Sequence, residues 1–254
     1  MYAAERQRGI FDLARQKGRV SVAGLARQFD VTTETIRRDL DFLNDQGVLR
    51  RVHGGAVVAE NVALTETGLA DREPARASQK SRIAAAAMEF LPGPTGSLLV
   101  DAGTTTARLA AMLTPDSART VITGSVPVAG KLIASGISLQ LLGGRVRGIT
   151  GAAVGAETVA ALSTLRCDVA FIGVNGLSVA HGLSTPDPEE AAVKRAMVGA
   201  AKQVIVLADS SKIGAELLVA FAAVSDIDVL ITDGEITPGD RTELEAAGVE
   251  VVIA

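Results

Sequence analysis

A glycine–threonine loop is the first stretch of the chain whose residue types suit anion chemistry. It reads Asp101-Ala-Gly-Thr-Thr-Thr106 and follows the apolar run Leu98–Val100. Gly103 allows a close approach of the backbone, and the N–H groups and hydroxyls of the three threonines can donate to a phosphate at the positive end of a helix. Alone, this pattern is more typical of a capped strand–helix turn than of a binding site.

Three further loops with donor groups are predicted at the same edge of the sheet. Thr123-Gly-Ser125 joins a strand to a helix, Leu142–Gly148 carries glycines beside two arginines, and Leu207–Gly214 contains Lys212. Each of these loops alone is more often turn chemistry than a ligand site. Because the carboxyl ends of parallel strands meet at one edge, where ligands bind in such sheets, the four loops together predict a pocket rich in anion donors.

Two other segments carry groups whose role the sequence leaves open. Asp168 precedes the predicted strand at 169–174 and Asn175 follows it. Asp168 is as consistent with a structural role as with a functional one. Glu190 and Lys194 lie four residues apart on a predicted helix, a spacing more typical of a surface salt bridge, worth roughly 0.2–0.5 kcal/mol, than of a site.

An amphipathic helix near the N-terminus is the second candidate surface. Ile36, Leu40 and Leu43 share one face at helical spacing, and charged residues occupy the other. Thr32 stands where an N-cap belongs, so the helix is predicted to begin at Thr33. An exposed helix start with hydroxyls and two adjacent arginines suits the major groove of DNA.

The elements around this helix are predicted in the order of a winged helix-turn-helix. A first helix is predicted over residues 5–17, and a second helix, capped by Ser21, carries its apolar residues as far as Phe29. A short strand or turn separates these two helices. Alternating residues on either side of Gly54-Gly55 predict a hairpin with a glycine turn, which is the wing.

From Ser97 onward, short apolar runs alternate with helical ones. Repeated strand–helix units predict an α/β fold with a mostly parallel, doubly wound sheet that helices cover on both faces. Strands are predicted at 98–100, 120–123, 139–142, 169–174, 204–208, 229–232 and 250–253. Helices are predicted at 79–91, 104–113, 126–134, 155–164, 189–202 and 240–247.

Composition restricts the class of protein. At 254 residues and 48% hydrophobic content, the chain is long enough to form two domains, each with its own hydrophobic core. Its apolar runs end before the roughly 18–20 residues of a membrane helix, so we expect a cytoplasmic protein. One cysteine and two histidines predict no disulfide and no metal site. Residues 1–55 carry a net charge of +3 and the rest of the chain −7. The mildly basic N-terminal region can therefore contact DNA phosphates.

The motifs closely resemble those of the DeoR family of bacterial transcriptional regulators. The matching residues include Thr35-Ile-Arg-Arg-Asp-Leu40 and His53-Gly-Gly-Ala56 in the first part, and Asp101–Thr106 and Asp209-Ser-Ser-Lys212 in the second. The resemblance implies a sensor domain similar in fold to ribose-5-phosphate isomerase, with phosphorylated sugars as the typical effectors. Gly124 stands where the family commonly has Asn, which removes an amide donor.

We expect three regions in this chain. Residues 1–58 are predicted to form the winged helix-turn-helix DNA-binding domain, and 79–254 the phosphosugar-sensing α/β domain. Residues 59–78 lack a sustained apolar period and are predicted to be the linker. Specific binding to DNA usually requires two half-sites, so we also expect a homo-oligomer, either a dimer or a tetramer.

The leading hypothesis is a transcriptional repressor of a carbohydrate-metabolism operon, without enzymatic activity or cofactor. A phosphorylated sugar bound to the sensor domain would change its affinity for double-stranded operator DNA. The residues expected to contact DNA are Thr33, Thr35, Arg37, Arg38, Arg50, Arg51 and His53. Those expected to bind the effector are Asp101, Gly103, Thr104, Thr105, Thr106, Thr123, Ser125, Gly143, Gly144, Arg145, Asn175, Glu190, Lys194 and Lys212.

A sugar-phosphate isomerase-like enzyme fused to a DNA-binding domain is the alternative. Isomerisation needs a carboxylate base and a cation near the sugar carbons, which Glu190, Asp168 and Lys212 could supply. However, the isomerases that the sensor resembles carry two aspartates in an Asp-Gly-Ala-Asp turn, and the equivalent residues 175–178 include none. A nucleotide-dependent kinase is not supported, because the residues from 124 to 132 lack the spacing of a phosphate loop.

Overall fold

The structure is a computed structural model that describes residues 6, 7, 9–11, 13, 14, 19–45, 49–52, 54–58 and 68–254. The chain divides into two compact units, Met1–Glu66 and Thr67–Ala254. Within these described ranges, no helix is long and apolar enough to cross a membrane. The same residues contain no group of three or more His, Cys, Asp or Glu side chains that could hold a metal ion.

The first unit has the element order of the predicted winged helix-turn-helix. Strand β1 (Arg19–Ser21), helix α1 (Val22–Phe29) and helix α2 (Thr33–Asp45) precede strands β2 (Leu49–Val52) and β3 (Gly55–Val58). The described residues between 6 and 14 are also helical. Strand β3 pairs antiparallel with both β1 and β2. Gly54, at φ +75°, lies in the turn of the predicted wing hairpin.

Helix α2 has the amphipathic character expected from its sequence. Ile36 and Leu40 are fully buried in the core of the first unit, and Leu43 is almost fully buried. The Thr35 N–H donates to Thr32 Oγ1 at 3.1 Å, so Thr32 caps the helix as predicted. Burial of this face determines which residues the helix presents to solvent.

The second unit is an α/β fold, as predicted. Its strands are β4 (Gly93–Val100), β5 (Ala118–Thr123), β6 (Leu139–Leu141), β7 (Arg145–Val146), β8 (Ala153–Val154), β9 (Cys167–Gly173), β10 (Gly176–Ser178), β11 (Gly182–Thr185), β12 (Ala201–Leu207), β13 (Val219–Ala222), β14 (Val229–Thr232) and β15 (Glu250–Ile253). Its helices are α3 (Leu69–Arg72), α4 (Ala77–Ala87), α5 (Thr104–Ala110), α6 (Val126–Leu132), α7 (Ala156–Ser163), α8 (Pro188–Gly199) and α9 (Pro238–Ala246). Seven strands form one parallel sheet in the order β15-β14-β12-β9-β4-β5-β6.

Helices cover both faces of this sheet. Successive residues of a strand point to opposite faces, so Leu98 and Phe171 pack with α4, α5 and α6, whereas Leu99 and Ile172 pack with α7, α8 and α9. Burial on both faces explains why the central strands are continuous apolar runs without polar alternation.

Part of the predicted linker is folded. The structure differs from the predicted linker at residues 68–78, because α3 and the start of α4 lie there and belong to the second unit. Helix α3 has no buried residue, so no apolar period marked it in the sequence. Residues 59–67 of the predicted linker lie outside the described residues.

The antiparallel strands of the second unit were not predicted from the sequence. Strands β10, β11 and β13 form a separate three-stranded sheet, and β7 pairs with β8. Gly176 and Gly182 allow close approach in the separate sheet, since a Cβ would lie 2.4 Å from Ala215 O and 2.2 Å from Ala222 O, respectively. These glycines read as turn residues in the sequence, which concealed the strands.

Candidate functional site

The order of the parallel strands reverses between β4 and β9. Strands β5 and β6 extend the sheet on one side of β4, while β9, β12, β14 and β15 extend it on the other. Such a switch point leaves a crevice outside the carboxyl ends of the two strands, where ligands bind in open α/β sheets. Asp101 directly follows β4, and Gly173 ends β9. These two residues therefore mark the crevice.

A buried ion pair occupies this switch point. Lys194, from α8, contacts the Asp101 carboxylate, and its Nζ also donates to Gly173 O at 2.8 Å. The Gly173 N–H donates to Asp101 Oδ2 at 2.9 Å. Both charged side chains are 6% exposed. Burial raises the pKa of the Asp101 carboxyl, while the Lys194 ammonium and the Gly173 N–H oppose that shift. The crevice thus has a carboxylate and a cation in fixed positions.

The threonine loop borders a cavity of about 240 Å³. Gly103 and Thr104 line it together with Ser125 from the loop after β5. The remaining lining residues are Leu69, Ala70, Glu73, Ala107, Pro127 and Lys131. The lining combines two hydroxyl side chains, the ammonium of Lys131 and the carboxylate of Glu73 with apolar carbon, so it offers contacts both to polar groups of a ligand and to a carbon skeleton.

The interpretation of Glu190 and Lys194 as a surface ion pair is wrong. Both side chains are buried, and each has other partners. Arg147 donates to Glu190 Oε1 at 2.5 Å, and the Thr150 hydroxyl donates to the same oxygen. Arg147 also lies 3.1 Å from Asp187. Helix α8 therefore directs a carboxylate toward one loop and an ammonium toward another.

Several predicted donors form hydrogen bonds within the protein. Thr123 Oγ1 donates to Val100 O at 2.7 Å, and Ser125 Oγ accepts from the Val128 N–H at 3.3 Å. Thr106 is fully buried, and its hydroxyl donates to the Gly103 carbonyl at 3.1 Å. These hydroxyls hold the strand ends and helix starts in place. Thr104 and Thr105 are also buried, at 8% exposure each, and Thr104 lines the cavity.

The glycine-rich loop after β6 places its two arginines differently. Gly144 has φ +136°, and a Cβ there would lie 2.1 Å from Thr158 Oγ1, so the turn requires glycine. Arg145, a predicted effector residue, is exposed and contacts Glu189. Arg147, which is not among the predicted effector residues, contacts the buried carboxylate of Glu190 on α8. The sequence could not rank two guanidinium groups in the same glycine-flanked loop.

Three remaining predicted effector residues also lie in loops at the carboxyl edge of the sheet. Gly143 follows β6, Asn175 follows β9, and Lys212 lies in the turn after β12. The Gly143 carbonyl accepts from the Thr158 hydroxyl at 2.7 Å, and the Asn175 N–H donates to Ser184 O at 3.2 Å. The edge loops are therefore tied to the helix and strand beside them.

Asp168 lies at the opposite edge of the sheet and is structural. Its carboxylate accepts from Lys202 Nζ at 2.8 Å and from the Ser97 N–H and hydroxyl at 2.8 Å each. The Lys202 ammonium and the Ser97 donors hold the pKa of this carboxyl well below its usual range. Asp168 thereby ties β9 to β4 and β12.

Lys80 is a buried cation that the sequence analysis missed. It lies on α4 at helical spacing from Ile83, Ala84 and Ala87, which are all buried. Its ammonium donates to the Arg72 carbonyl, and burial lowers its pKa to about 8. A lysine on the apolar stripe of a helix was the available signal in the sequence.

Two adjacent arginines lie on the solvent face of α2. The side chain of Arg38 is 81% exposed and that of Arg37 is 54% exposed. Glu34 lies 3.5 Å from Arg38 and 3.6 Å from Arg37. Such exposed pairs contribute about 0.2–1 kcal/mol, so a competing anion can displace them. Thr33 is exposed at the start of the helix, and Thr35 is half-buried.

The other predicted DNA-contacting residues have different positions. Arg51 packs against α2, where its guanidinium donates to Arg37 O at 3.3 Å and lies 3.5 Å from Asp41. Arg50 belongs to β2, and His53 lies outside the described residues.

Asp39 of α2 carries a buried carboxylate, at 3% exposure. Arg6 lies 2.6 Å away, and the Gln7 amide donates to the same carboxylate at 2.9 Å. The Asp39 hydrogen bond raises the pKa of the Arg6 guanidinium. No local pattern in the sequence predicts this pair, because its partners are 33 residues apart.

Two family models match the chain. The DeoR-like helix-turn-helix domain matches residues 6–62, and the DeoR C terminal sensor domain matches residues 75–234. The chain belongs to the DeoR family. This confirms the resemblance found in the sequence, and it assigns the first unit to DNA binding and the second to sensing.

Relatives within the DeoR family match along nearly their whole length. The HTH-type transcriptional regulator GlpR of Haloferax volcanii is 37% identical, over 99% of this chain and 98% of the relative. The HTH-type transcriptional repressor GlcR of Bacillus subtilis is 33% identical, over 100% of this chain and 97% of the relative. The glycerol-3-phosphate regulon repressor of Escherichia coli is 32% identical, over 92% of each chain.

Among solved structures, one similar chain is ribose 5 phosphate isomerase A from Neisseria gonorrhoeae. The alignment covers 54% of each chain, with a TM-score of 0.41 and 16% sequence identity. The curated relatives are named regulators or repressors, which favours a regulatory role over an enzymatic one for this DeoR-family chain.

Proposed function

We propose that this DeoR-family protein is a repressor whose affinity for operator DNA is controlled by a phosphorylated sugar bound at the carboxyl edge of the parallel sheet. The observation that carries the proposal is the buried Asp101–Lys194 pair at the strand switch point. Its position is supported by the general tendency of such switch points to bind ligands.

The side chains of the cavity and of the carboxyl edge together fit a polyhydroxylated anion. The backbone and hydroxyl of Thr104 and the ammonium of Lys131 offer donors to a phosphate where they line the cavity. Glu190 and Asp101 offer acceptors to sugar hydroxyls, since a carboxylate accepts more than one hydrogen bond. The effector residues predicted from the sequence therefore remain our candidates, with Arg147 added because it reaches Glu190.

Operator recognition is assigned to α2. Arg37 and Arg38 would enter the major groove, where an arginine can donate two hydrogen bonds to guanine. Thr33 and Thr35 lie at the start of the same helix. Arg50, Arg51 and His53 remain candidates for backbone contacts. Glu34 pairs with both arginines in the free protein. Binding to DNA must therefore either break these ion pairs or place the Glu34 carboxylate where it accepts a hydrogen bond from a base.

We further propose that the protein is a homo-oligomer. One winged helix reads a short half-site, and specific affinity usually requires two half-sites about one helical turn apart. Sedimentation of the intact protein, free and with operator DNA, tests this point. A monomer in both states would contradict it.

The experiment that tests the effector is a thermal-shift screen of the full chain. The panel is glycerol 3-phosphate, ribose 5-phosphate, fructose 1-phosphate and glucose 6-phosphate, each beside its unphosphorylated parent. A ligand at 100 times its Kd stabilises by about 2.7 kcal/mol. We expect one or two phosphates, and no parent, to raise Tm and to release DNA selected in vitro with this protein. No shift with any phosphate would overturn the effector assignment and leave the DNA-binding assignment standing.

The isomerase alternative is tested in the same samples. If the sensor unit were an isomerase, ribose 5-phosphate would be converted to its ketose, which proton NMR would detect. We expect no conversion beyond that of buffer.

A further inference from the structure

Helix α3 forms part of the wall of the cavity beside the threonine loop. Leu69 and Ala70 of this helix, with the following Glu73, line the cavity together with Thr104 and Ser125. Only Gly68 separates this helix from residues 59–67, which connect it along the chain to the DNA-binding unit. A molecule in this cavity would therefore contact the sheet loops and the first helix of the sensor unit at once.

A few polar contacts attach α3 to the rest of the sensor unit. At its start, the Leu69 N–H donates to Ile149 O at 3.2 Å. At its end, Lys80 Nζ donates to the Arg72 carbonyl, and Arg108 donates to Glu73 O at 3.1 Å and pairs with the Glu73 carboxylate at 2.8 Å. The helix has four residues, and none of them is buried. A short element with little buried apolar surface opens at low free-energy cost, so a ligand can shift its position.

The contact at the start of α3 also leads back to Glu190. Ile149, which accepts from Leu69, precedes Thr150, whose hydroxyl donates to the Glu190 carboxylate. Gly151, the next residue, packs closely on the cavity residue Pro127: a Cβ on it would lie 2.7 Å from the proline Cδ. The loop at 147–151 thus joins the buried carboxylate, the cavity and α3.

We propose that Leu69 is an effector-contacting residue and that the bound sugar phosphate fixes α3 on the sensor unit. Binding of the effector thereby restrains the chain segment that leads from α3 to the DNA-binding unit. A ligand shifts an equilibrium only by its difference in affinity for the two states. Leu69 supplies that difference, because its contact with the ligand exists only when α3 is docked. The inference rests on the proposed function, since it requires a sugar phosphate at this edge of the sheet.

The test compares Leu69→Ala with the matched control Leu218→Ala in the full chain. Leu218 is exposed and does not line the cavity. Each of the four sugar phosphates of the panel is titrated calorimetrically into wild type and both variants. Release of the in vitro-selected DNA is then followed by fluorescence anisotropy at saturating concentrations of whichever phosphate binds. We expect Leu69→Ala to bind DNA normally and to lose more than about half of the release at saturation, whereas Leu218→Ala behaves as wild type.

Amide hydrogen exchange of the wild-type protein provides a readout that does not depend on a variant. We expect the amides of residues 69–73 to exchange about 10-fold more slowly with the bound phosphate, and those of α9 to be unchanged.

Full release by Leu69→Ala at saturation, or no added protection at 69–73, would overturn the inference while the proposed function stands. If no phosphate binds wild type, the proposed function fails first and the inference fails with it.

Discussion

The two charged regions of this protein use the same kinds of side chains in opposite ways. On α2, Arg38 and Glu34 are 81% and 61% exposed and lie 3.5 Å apart. At the sheet edge, Lys194 and Asp101 are 6% exposed and in direct contact. Exposed pairs are weak and exchange readily for phosphates, whereas a buried pair is costly to break and keeps one geometry. The first arrangement suits a surface that meets DNA, and the second suits a preformed site.

The largest effect should come from breaking the buried pair. Lys194→Met leaves the Asp101 carboxylate buried without its cation, which costs about 3–5 kcal/mol of the free energy of unfolding. Urea unfolding followed by circular dichroism measures this loss. A solvent-exposed pair of the same unit provides the matched control: Lys202→Met removes the partner of Asp168, and we expect a much smaller loss of stability because water can solvate the remaining carboxylate.

A double variant sharpens the same contrast. Asp101→Asn combined with Lys194→Met removes both charges, so no unpaired charge remains buried, and we expect it to be more stable than Lys194→Met alone. If Lys194→Met were as stable as Lys202→Met, burial would not distinguish the two pairs.

The next effect concerns DNA and not stability. Arg38→Ala should lower affinity for in vitro-selected DNA by about 10- to 100-fold at fixed salt, because a bidentate contact to a base contributes about 1–3 kcal/mol. The thermal midpoint should not change. Arg241→Ala is the control, since Arg241 also pairs with a glutamate four residues away and is 49% exposed, but lies on α9 of the sensor unit. Equal affinities of the two variants would contradict the assignment of α2 to the groove.

The smallest effect is a difference in pH dependence between two lysines of the second unit. The folded pKa of Lys80 is about 8, below its unfolded value near 10.4. Between these pH values the unfolded chain holds one more proton than the folded chain. The contribution of Lys80 to the free energy of unfolding therefore rises with pH. We therefore expect wild type to gain Tm relative to Lys80→Met from pH 8 to 10.

Lys202 should show the opposite sign. Its hydrogen bond to Asp168 raises the pKa of the Lys202 ammonium, so the associated stability is present below the unfolded pKa and is lost as pH rises through the folded one. Differential scanning calorimetry of wild type, Lys80→Met and Lys202→Met over pH 7–11 compares the two. Parallel pH profiles for both variants would contradict the difference in burial.

Local patterns in the sequence predicted much of the fold. The stripe formed by Ile36, Leu40 and Leu43 predicted α2, and continuous apolar runs predicted the parallel strands, because both signals depend on residues close together in the chain. The same kind of signal failed for α3, which has no buried residue, and for the strands at Gly176 and Gly182. The loops of the candidate site were also predicted, since the carboxyl ends of parallel strands share one edge.

By itself, the sequence determined the family, the two kinds of unit and the edge of the sheet where polar loops gather. Only the tertiary structure decided which charged groups meet. Lys194 contacts Asp101 across 93 residues and Glu190 contacts Arg147 across 43, although Glu190 and Lys194 stand at the spacing of a helical ion pair. Helical spacing makes such a pair possible, but burial of α8 against the strand ends removes water from both groups. Each group then requires the strongest partner within reach, and only the fold determines which partners those are.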